Sequence, residues 1–148
     1  MEQDIPVFGE RSETLPQKTR ACAYAVVVNS QGLVAAARES GRLFLPGGGI
    51  EFPETPAEAV HREVREELGC RIQLAERLGQ ALKYFQSDGA CQALYATFYA
   101  AEFGEAASET HESELEWVHS DELFHEHHAW AARLHMQRLA ARARADIA

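Results

Sequence analysis

Three glutamates lie within five residues of one another: Glu63, Glu66 and Glu67. A helix advances about 100° per residue, so these side chains would share one helical face. Like charges at this spacing repel each other, at a cost of roughly a few tenths of a kcal/mol per pair. Hard oxygen ligands gathered in this way suit Mg²⁺ or Mn²⁺, which often share their remaining coordination positions with substrate phosphates. The spacing is therefore typical of a divalent-metal site.

The same stretch also has a plainer interpretation. Arg62 and Arg65 alternate with the glutamates, as they would on a solvated charged helix face. The glycine run that follows Pro46, taken alone, is more typical of a tight turn than of a phosphate-binding loop. It has neither the G-K-[ST] ending of a P-loop nor the G-x-G-x-x-G spacing. Only the joint spacing of loop and helix distinguishes a metal site from a charged surface.

The element that must position the glutamates is a helix with signals at both ends. Thr55 is a suitable N-cap, Pro56 suits the first helical position, and Glu58 completes a capping box with Thr55. Gly69 is a typical C-terminal stop. Four apolar residues between these signals recur at helical spacing and predict a stripe that packs on a sheet: Ala57, Val60, Val64 and Leu68.

Strand-like segments surround this helix. The predicted strands form two hairpins, residues 20–29 with 33–38 and residues 71–86 with 90–103, and two short strands, residues 43–45 and 115–118. Residues 46–49 are predicted to interrupt regular structure, and residues 127–144 to form a terminal helix. The near-continuous apolar character of the first strand predicts that both faces of its sheet are covered. The expected architecture is an α/β fold in which a mixed sheet lies between helices.

Size and charge limit the possible functions. The chain has 148 residues and a formal net charge of -9, with 23 acidic and 14 basic residues. We assign residues 20–148 to a single domain and residues 1–19 to an N-terminal arm or edge strand. The acidic balance argues against binding to a nucleic-acid polymer. A small phosphate ester could still bind if divalent cations lie between the two sets of negative charge.

Cysteine usage and hydropathy predict the compartment. The three cysteines, Cys22, Cys70 and Cys91, are scattered, odd in number and without a C-x-x-C pair. They predict a reduced, cytoplasmic protein. The sequence shows no targeting segment and no apolar run of the roughly 20 residues needed to cross a bilayer, so we expect no membrane association.

The joint pattern of loop and helix resembles a known family signature. Gly48 is followed after five residues by Glu54, and after seven more by the run R-E-V-x-E-E-x-G-C over residues 62–70. This pattern resembles a complete Nudix box, the signature of the Nudix hydrolases. The resemblance implies an α/β/α sandwich with a mixed, curved sheet containing antiparallel and parallel strands. It also implies hydrolysis of a nucleoside diphosphate linked to another moiety.

The resemblance further implies a role for each box residue. Mg²⁺ or Mn²⁺ would be the cofactor, bound mainly by Glu63 and Glu67, with the Gly48 carbonyl reaching the same metal and Glu66 as a further ligand or helper. Arg62 and Glu54 would form a pair that braces the loop against the helix. Bound metal would neutralise the pyrophosphate and lower the pKa of a water molecule.

Family members take the general base either from the box helix or from a loop before the last strand. The first alternative points to Glu66 as a catalytic residue. The second points to the acidic loop 109–116, where we select Glu112, with Glu109 and Glu114 as lesser candidates. Solvated loop acids are the plainer interpretation for most of these glutamates.

Substrate-binding residues are less strongly indicated. We select Arg42 for phosphate contact, with Arg20 and Lys83 as further candidates, and Tyr84 and Phe85 for stacking on a base. Aromatic residues on a long hairpin, including Tyr99, more often belong to the core. Six of the seven histidines fall late in the chain without metal-ligand spacing, so we expect surface or partly buried structural histidines.

Two alternatives to a hydrolase remain open. One is a regulatory nucleotide-binding module on the same fold, which should show a damaged box. The other is a carboxylate-rich structural domain that binds Ca²⁺ or no ligand. The intact box favours a hydrolase of small nucleotides, and the resemblance leaves a homodimer open.

Overall fold

The computed structural model describes residues 5–107 and 110–147. In chain order the strands are β1 (Val7–Phe8), β2 (Gln17–Val26), β3 (Val34–Glu39), β4 (Arg42–Phe44), β5 (Gly47–Gly49), β6 (Cys70–Ser87), β7 (Ala90–Ala106) and β8 (Leu115–Val118). The helices are α1 (Pro56–Leu68) and α2 (Glu126–Ile147), with a short 3₁₀ helix at Ser120–Glu122. In the part of the chain that the structure describes, no helix combines the length and apolar character needed to span a membrane.

The strands form two sheets. The larger sheet has the order β1-β6-β7-β2-β5, and the smaller one has the order β4-β3-β8. In the larger sheet β2 runs parallel to β7 and antiparallel to β5, and β6 and β7 form the long antiparallel hairpin. The sheet is therefore mixed, as the sequence predicted. Its outer strand β1 pairs with Leu82 and Lys83 of β6.

One helix covers each face of the larger sheet. Side chains alternate along β2, so successive residues enter different cores. Cys22, Tyr24 and Val26 pack in the cluster that includes Ala131 and Ala132 of α2. The intervening residues Ala23 and Ala25 pack in a second cluster, which includes Val60 and Val64 of α1. The predicted α/β/α sandwich is thereby confirmed.

Both predicted ends of α1 are confirmed. The Glu58 N–H donates to Thr55 Oγ1 at 3.2 Å, and the Thr55 N–H donates to Glu58 Oε1 at 2.9 Å, which completes the capping box. Gly69 adopts φ 68°, a left-handed conformation that favours glycine, and its N–H donates to the Arg65 carbonyl.

The buried stripe of α1 differs from the prediction at one position. Ala59 is fully buried, whereas Ala57 is partly exposed. Ala59 lies one turn before Glu63, on the side of α1 that contacts β5, and Ile50 packs against the same cluster. The helix therefore buries part of its glutamate-bearing side as well as its apolar stripe.

One strand prediction was partly wrong and another was wrong. The predicted hairpin of residues 20–29 and 33–38 forms only beside its turn, where the Asn29 N–H donates to the Leu33 carbonyl and Val28 bridges Val34. It does not continue further, because β2 and β3 lie in different sheets. Both edges of β2 are already occupied, by β7 and β5. The glycine run was expected to interrupt regular structure, but Gly47–Gly49 pairs with β2 as strand β5.

Candidate active site

Strand β5 lies directly against the glutamate face of α1. The Gly47 N–H donates to Glu67 Oε1 at 2.8 Å. A Cβ atom placed on Gly48 would lie 2.9 Å from the carboxyl carbon of Glu63 and 3.0 Å from its Oε1. Real Cβ atoms essentially never approach another heavy atom so closely. The absence of side chains on β5 therefore allows the backbone to lie against Glu63 and Glu67, two of the three glutamates in the second half of α1.

Alanine substitutions at the two neighbouring glycines should separate folding from activity. Gly47 has φ 144°, and a Cβ there would lie 2.2 Å from the Ala23 carbonyl oxygen, so Gly47→Ala should lower the free energy of unfolding by about 2 kcal/mol. At Gly48 the obstacle is the movable end of Glu63, so Gly48→Ala should fold normally and lose activity. Chemical denaturation and turnover of both variants test this; equal loss of stability would contradict it.

Arg62 joins the loop to the helix through several acceptors. Its guanidinium donates to both carboxylate oxygens of Glu54, at 2.6 and 3.1 Å, and to the Gly49 carbonyl at 2.9 Å. It also donates to Glu63 at 3.0 Å and to Glu66 at 3.3 Å. The hydrogen bond to Glu54 raises the pKa of Arg62, and the same bond lowers the pKa of Glu54. The pair predicted to brace the site is thus formed.

Burial raises the pKa values of two glutamates, Glu63 and Glu67. It raises the pKa of Glu67 to about 8, with the nearby charges of Glu63, Glu39 and Glu112 adding to the effect and the Gly47 hydrogen bond opposing it. Burial also raises the pKa of Glu63, against the opposing effect of Arg62. Concentrated carboxylate charge with little water around it favours either protonation or a bound cation.

The acidic loop reaches the site through its backbone. The Glu112 N–H donates to the Glu66 carbonyl at 3.1 Å, and the Ser113 N–H donates to the Glu67 carbonyl at 2.8 Å. These are carbonyls of the last turn of α1, which lack partners within the helix. Glu112 consequently lies close enough to raise the pKa values of Glu63 and Glu67.

The loop acids do not all share this position. Glu112 and Glu66 line the same open cavity of about 610 Å³. Glu114 is exposed, and its Oε1 lies 3.2 Å from Nε2 of His111. Glu109 lies outside the described residues.

The donor set fits a hard divalent cation in chemistry, although it is not assembled into a cage. Across residues 5–107 and 110–147, no group of three or more His, Cys, Asp or Glu side chains could hold a metal ion as it stands. Glu67 accepts from the Gly47 N–H, and Glu63 and Glu66 both accept from Arg62. Their oxygens are the ligand type that Mg²⁺ and Mn²⁺ prefer.

A cavity of about 260 Å³ opens in front of β5. Its lining includes Arg20, Glu39, Glu67 and Phe85 together with the three glycines of β5. A Cβ on Gly49 would lie 2.7 Å from Nη2 of Arg20, so this guanidinium also lies against β5. The cavity thus combines cationic and anionic groups beside the glycine strand.

Of the three residues selected for substrate binding, Arg42 and Phe85 line cavities near β5 and Tyr84 does not. Phe85 lines both the cavity in front of β5 and an outer cavity that also contains Arg42 and Lys83. Tyr84 lines neither of them, because side chains alternate along β6 and Tyr84 lies on the opposite face from Phe85. Tyr99 packs against the α1-side cluster.

Sequence reasoning missed Glu39. This residue ends β3 and lines the cavity in front of β5, where its charge raises the pKa of Glu67. The turn that follows it contains Ser40 with φ 50° and Gly41 with φ 77°. An acidic residue between an apolar strand and the Ser-Gly turn was the available signal, since strand ends often carry site residues.

Three of the six late histidines, His127, His128 and His135, are more deeply buried than predicted, whereas His111 and His119 are exposed and His125 is partly buried, as expected. His127 and His128 are fully buried, and the Leu45 N–H donates to Nδ1 of His128 at 3.2 Å. The ring centroids of His128 and Tyr24 lie 4.3 Å apart. Burial lowers the pKa of His127 to about 3 and that of His128 well below its usual value. Neutral imidazoles therefore pack here as aromatic core residues.

Comparison with known proteins identifies the family of the chain. A family model described as the NUDIX domain matches residues 18–139. Over 68 residues the chain is 40% identical to a MutT-like protein of Streptomyces ambofaciens, covering 45% of this chain and 44% of that protein. Over 46 residues it is 48% identical to an RNA pyrophosphohydrolase of Halorhodospira halophila, covering 30% of this chain and 25% of that protein. The chain thus spans less than half the length of either relative.

Solved structures share the architecture over most of their length. The crystal structure of a MutT protein from Methanosarcina mazei Go1 matches with a TM-score of 0.63 and 22% identity, covering 86% of this chain and 99% of that chain. The solution structure of the E. coli ORF135 protein matches with a TM-score of 0.61 and 23% identity, covering 85% and 94%. These likenesses show the fold, and the family model covers most of the sequence. The chain therefore belongs to the Nudix domain family.

Proposed function

We propose that this protein is a divalent-metal-dependent hydrolase that cleaves the pyrophosphate linkage of a nucleoside diphosphate joined to another moiety. The observation that carries the proposal is the contact of β5 with the glutamate face of α1, where Gly47 bonds Glu67 and Gly48 leaves room for Glu63. Relatives named as RNA pyrophosphohydrolases match part of the chain and support the same bond type.

In this proposal Glu63, Glu67 and the Gly48 carbonyl hold Mg²⁺ or Mn²⁺, with Glu66 as a further ligand. The metal, when bound, neutralises the pyrophosphate and lowers the pKa of a bound water. Arg62 keeps Glu54, Glu63 and the loop carbonyl of Gly49 in fixed relation. Arg20 offers a cation at the wall of the same cavity for a phosphate oxygen.

Glu112 is the proposed general base. Its backbone is fixed to the end of α1 by the hydrogen bond to the Glu66 carbonyl, so its carboxylate stays beside the metal-binding face. It would accept the proton of the attacking water, and Glu66, which lines the same cavity, is the alternative base.

The Glu112→Gln variant should therefore lower kcat by about a hundredfold, because the amide cannot accept the proton. The backbone bond that positions the loop should survive, so the melting temperature should stay unchanged. Steady-state kinetics test this, with Glu114→Gln as the matched control two residues away. Full turnover in Glu112→Gln would show that Glu112 is not the base.

A substrate panel tests the proposed function as a whole. The purified protein would be incubated with nucleoside triphosphates, sugar nucleotides and dinucleotides, and the products separated chromatographically. We expect metal-dependent cleavage of at least one class into two phosphorylated products, abolished by EDTA and restored by Mg²⁺ or Mn²⁺. Tight nucleotide binding without cleavage of any class would indicate a regulatory module. Neither binding nor cleavage would indicate a structural domain.

The setting of the activity is also proposed. The three cysteines are free and two of them are buried, which fits a reducing, cytoplasmic environment. A net charge of -9 fits a small nucleotide better than a nucleic-acid polymer. We propose residues 20–148 as the catalytic domain and residues 1–19 as an N-terminal arm or edge strand, and a homodimer as the assembly to test by light scattering. The edge-strand alternative agrees with the pairing of β1 with β6, and the boundary falls inside β2, which begins at Gln17.

A further inference from the structure

An outer cavity of about 600 Å³ adjoins the smaller one in front of β5. Phe44, Phe85 and His125 line both cavities, so the two are continuous along these rings. The outer volume falls within the roughly 300 to 1,000 Å³ that ligand sites usually occupy. The metal-binding face of α1 therefore opens into a second space large enough for the distant part of a substrate.

The shared wall is aromatic. The ring centroid of His125 lies 5.0 Å from that of Phe124, 5.4 Å from that of Phe44 and 6.2 Å from that of Phe85. Burial lowers the pKa of His125 to about 4, so this ring is neutral near neutral pH. Neutral flat rings of this kind suit contact with the base or ribose of a nucleotide.

The far end of the wall is cationic. The Arg42 guanidinium lies 4.1 Å from the ring centroid of Phe124, and Lys83 lines the same cavity. Among the described residues, neither cation is in an ion pair with a carboxylate. Glu126, in the first turn of α2, is the one carboxylate among the lining residues.

Two cations against one carboxylate leave a local positive excess, although the whole chain carries a formal net charge of -9. A cluster of this sign at the end of an aromatic wall attracts anions. The pyrophosphate itself belongs beside the glutamates and Arg20, on the other side of Phe44 and Phe85. The outer cations are thus free for a different anionic group of the same substrate.

We propose that the outer cavity binds a second phosphate group of the substrate, a phosphate monoester carried on the moiety that lies away from the scissile pyrophosphate. The inference rests on the proposed function, since it assigns a substrate class to that site. The preferred substrates would be nucleotides that carry a ribose phosphate in addition to their pyrophosphate, and Arg42 and Lys83 would select them.

Matched substrate pairs that differ by one phosphate test the inference. The pairs are NADH with NADPH, dephospho-coenzyme A with coenzyme A, and ATP with adenosine 3′-phosphate 5′-triphosphate. For at least one pair, kcat/KM should be about tenfold higher for the member with the extra phosphate, as expected for one charge-assisted contact. Lys83→Ala and Arg42→Ala should each bring this ratio towards one, whereas the control Lys18→Ala should leave it unchanged.

The outcomes separate this inference from the proposed function. Cleavage of other pyrophosphates with none of these six compounds cleaved would overturn the inference and leave the proposed function in place. A ratio near one in every cleaved pair would overturn it too. Inorganic phosphate can be added as an inhibitor of both members of a pair. Equal inhibition of both members that disappears in Lys83→Ala would show that the cavity binds free phosphate, and would contradict the proposal. No cleavage of any pyrophosphate would remove both.

Discussion

Replacing Glu67 by glutamine should lower kcat by about a thousandfold or more, because the variant would lose the proposed charged metal ligand, and metal stabilisation of such a reaction amounts to several kcal/mol. The side-chain amide has nearly the same shape, and its oxygen can still accept the hydrogen bond that the Gly47 N–H gives to Glu67. The fold should therefore survive. Steady-state kinetics at saturating metal, with circular dichroism as the test of folding, measure the result.

The same variant should change the pH dependence of stability without metal. Glu67 has a pKa raised from 4.5 to about 8 in the folded chain, so protonation stabilises the fold and that contribution is lost as pH rises towards and through 8. Glutamine cannot ionise, so in EDTA the variant should be more stable than the native protein at pH 8, and the two should differ least near pH 4.

The control is Glu102→Gln, an exposed glutamate of β7 that lies outside the site. It should match the native protein in turnover and in melting temperature at both pH values. Normal turnover in Glu67→Gln would refute the metal-ligand role. A lower melting temperature at pH 8 in EDTA would show that the charged carboxylate stabilises the fold after all.

Removing the Arg62 side chain should damage stability and activity together. The side chain is 24% exposed and contacts Glu54, Glu63, Glu66 and the Gly49 carbonyl. Arg62→Ala would leave partly buried acceptors without a donor, which should cost about 2 kcal/mol of unfolding free energy. Activity should fall about a hundredfold, because Glu63 would no longer be held beside β5. Urea denaturation and steady-state kinetics measure the two effects.

Lysine should not replace Arg62. One ammonium group cannot donate to both oxygens of Glu54 and also reach the Gly49 carbonyl and Glu63, as the planar guanidinium does. Arg65→Ala is the matched control, since Arg65 is exposed on the same helix one turn later. Full rescue by Arg62→Lys would show that charge alone suffices and that the bidentate geometry is dispensable.

Local signals were sufficient for the box helix. The cap residues Thr55 and Glu58 and the stop at Gly69 act within a few residues of the chain, so both ends of α1 could be predicted. The pairing of Glu54 with Arg62 was expected from the family resemblance, and the two side chains are hydrogen-bonded in the structure. The long hairpin was predictable for a similar reason, because its turn contains Asp88 and Gly89, both with positive φ.

Long-range pairing was not predictable in this way. Whether β2 pairs with β3 depends on which strands compete for the edges of β2. One competitor, β7, lies far along the chain, and the other, β5, was expected to be irregular. Burial of the histidines of α2 depends on Tyr24 of β2 and Phe98 of β7, which are distant from α2 in sequence. Glu39 belongs to the site only because the end of β3 lines the cavity in front of β5, which Glu67 also lines.

The attachment of the acidic loop to the end of α1 has a mechanical consequence. The Glu112 and Ser113 amides donate to the Glu66 and Glu67 carbonyls, which in a longer helix would accept from the amides of the next turn. We therefore expect the last turn of the helix and the residues bonded to it to open and close as one cooperative unit. Opening this unit would move the proposed base Glu112 away at the same time as it loosens Glu66 and Glu67. A partly open site would therefore be inactive.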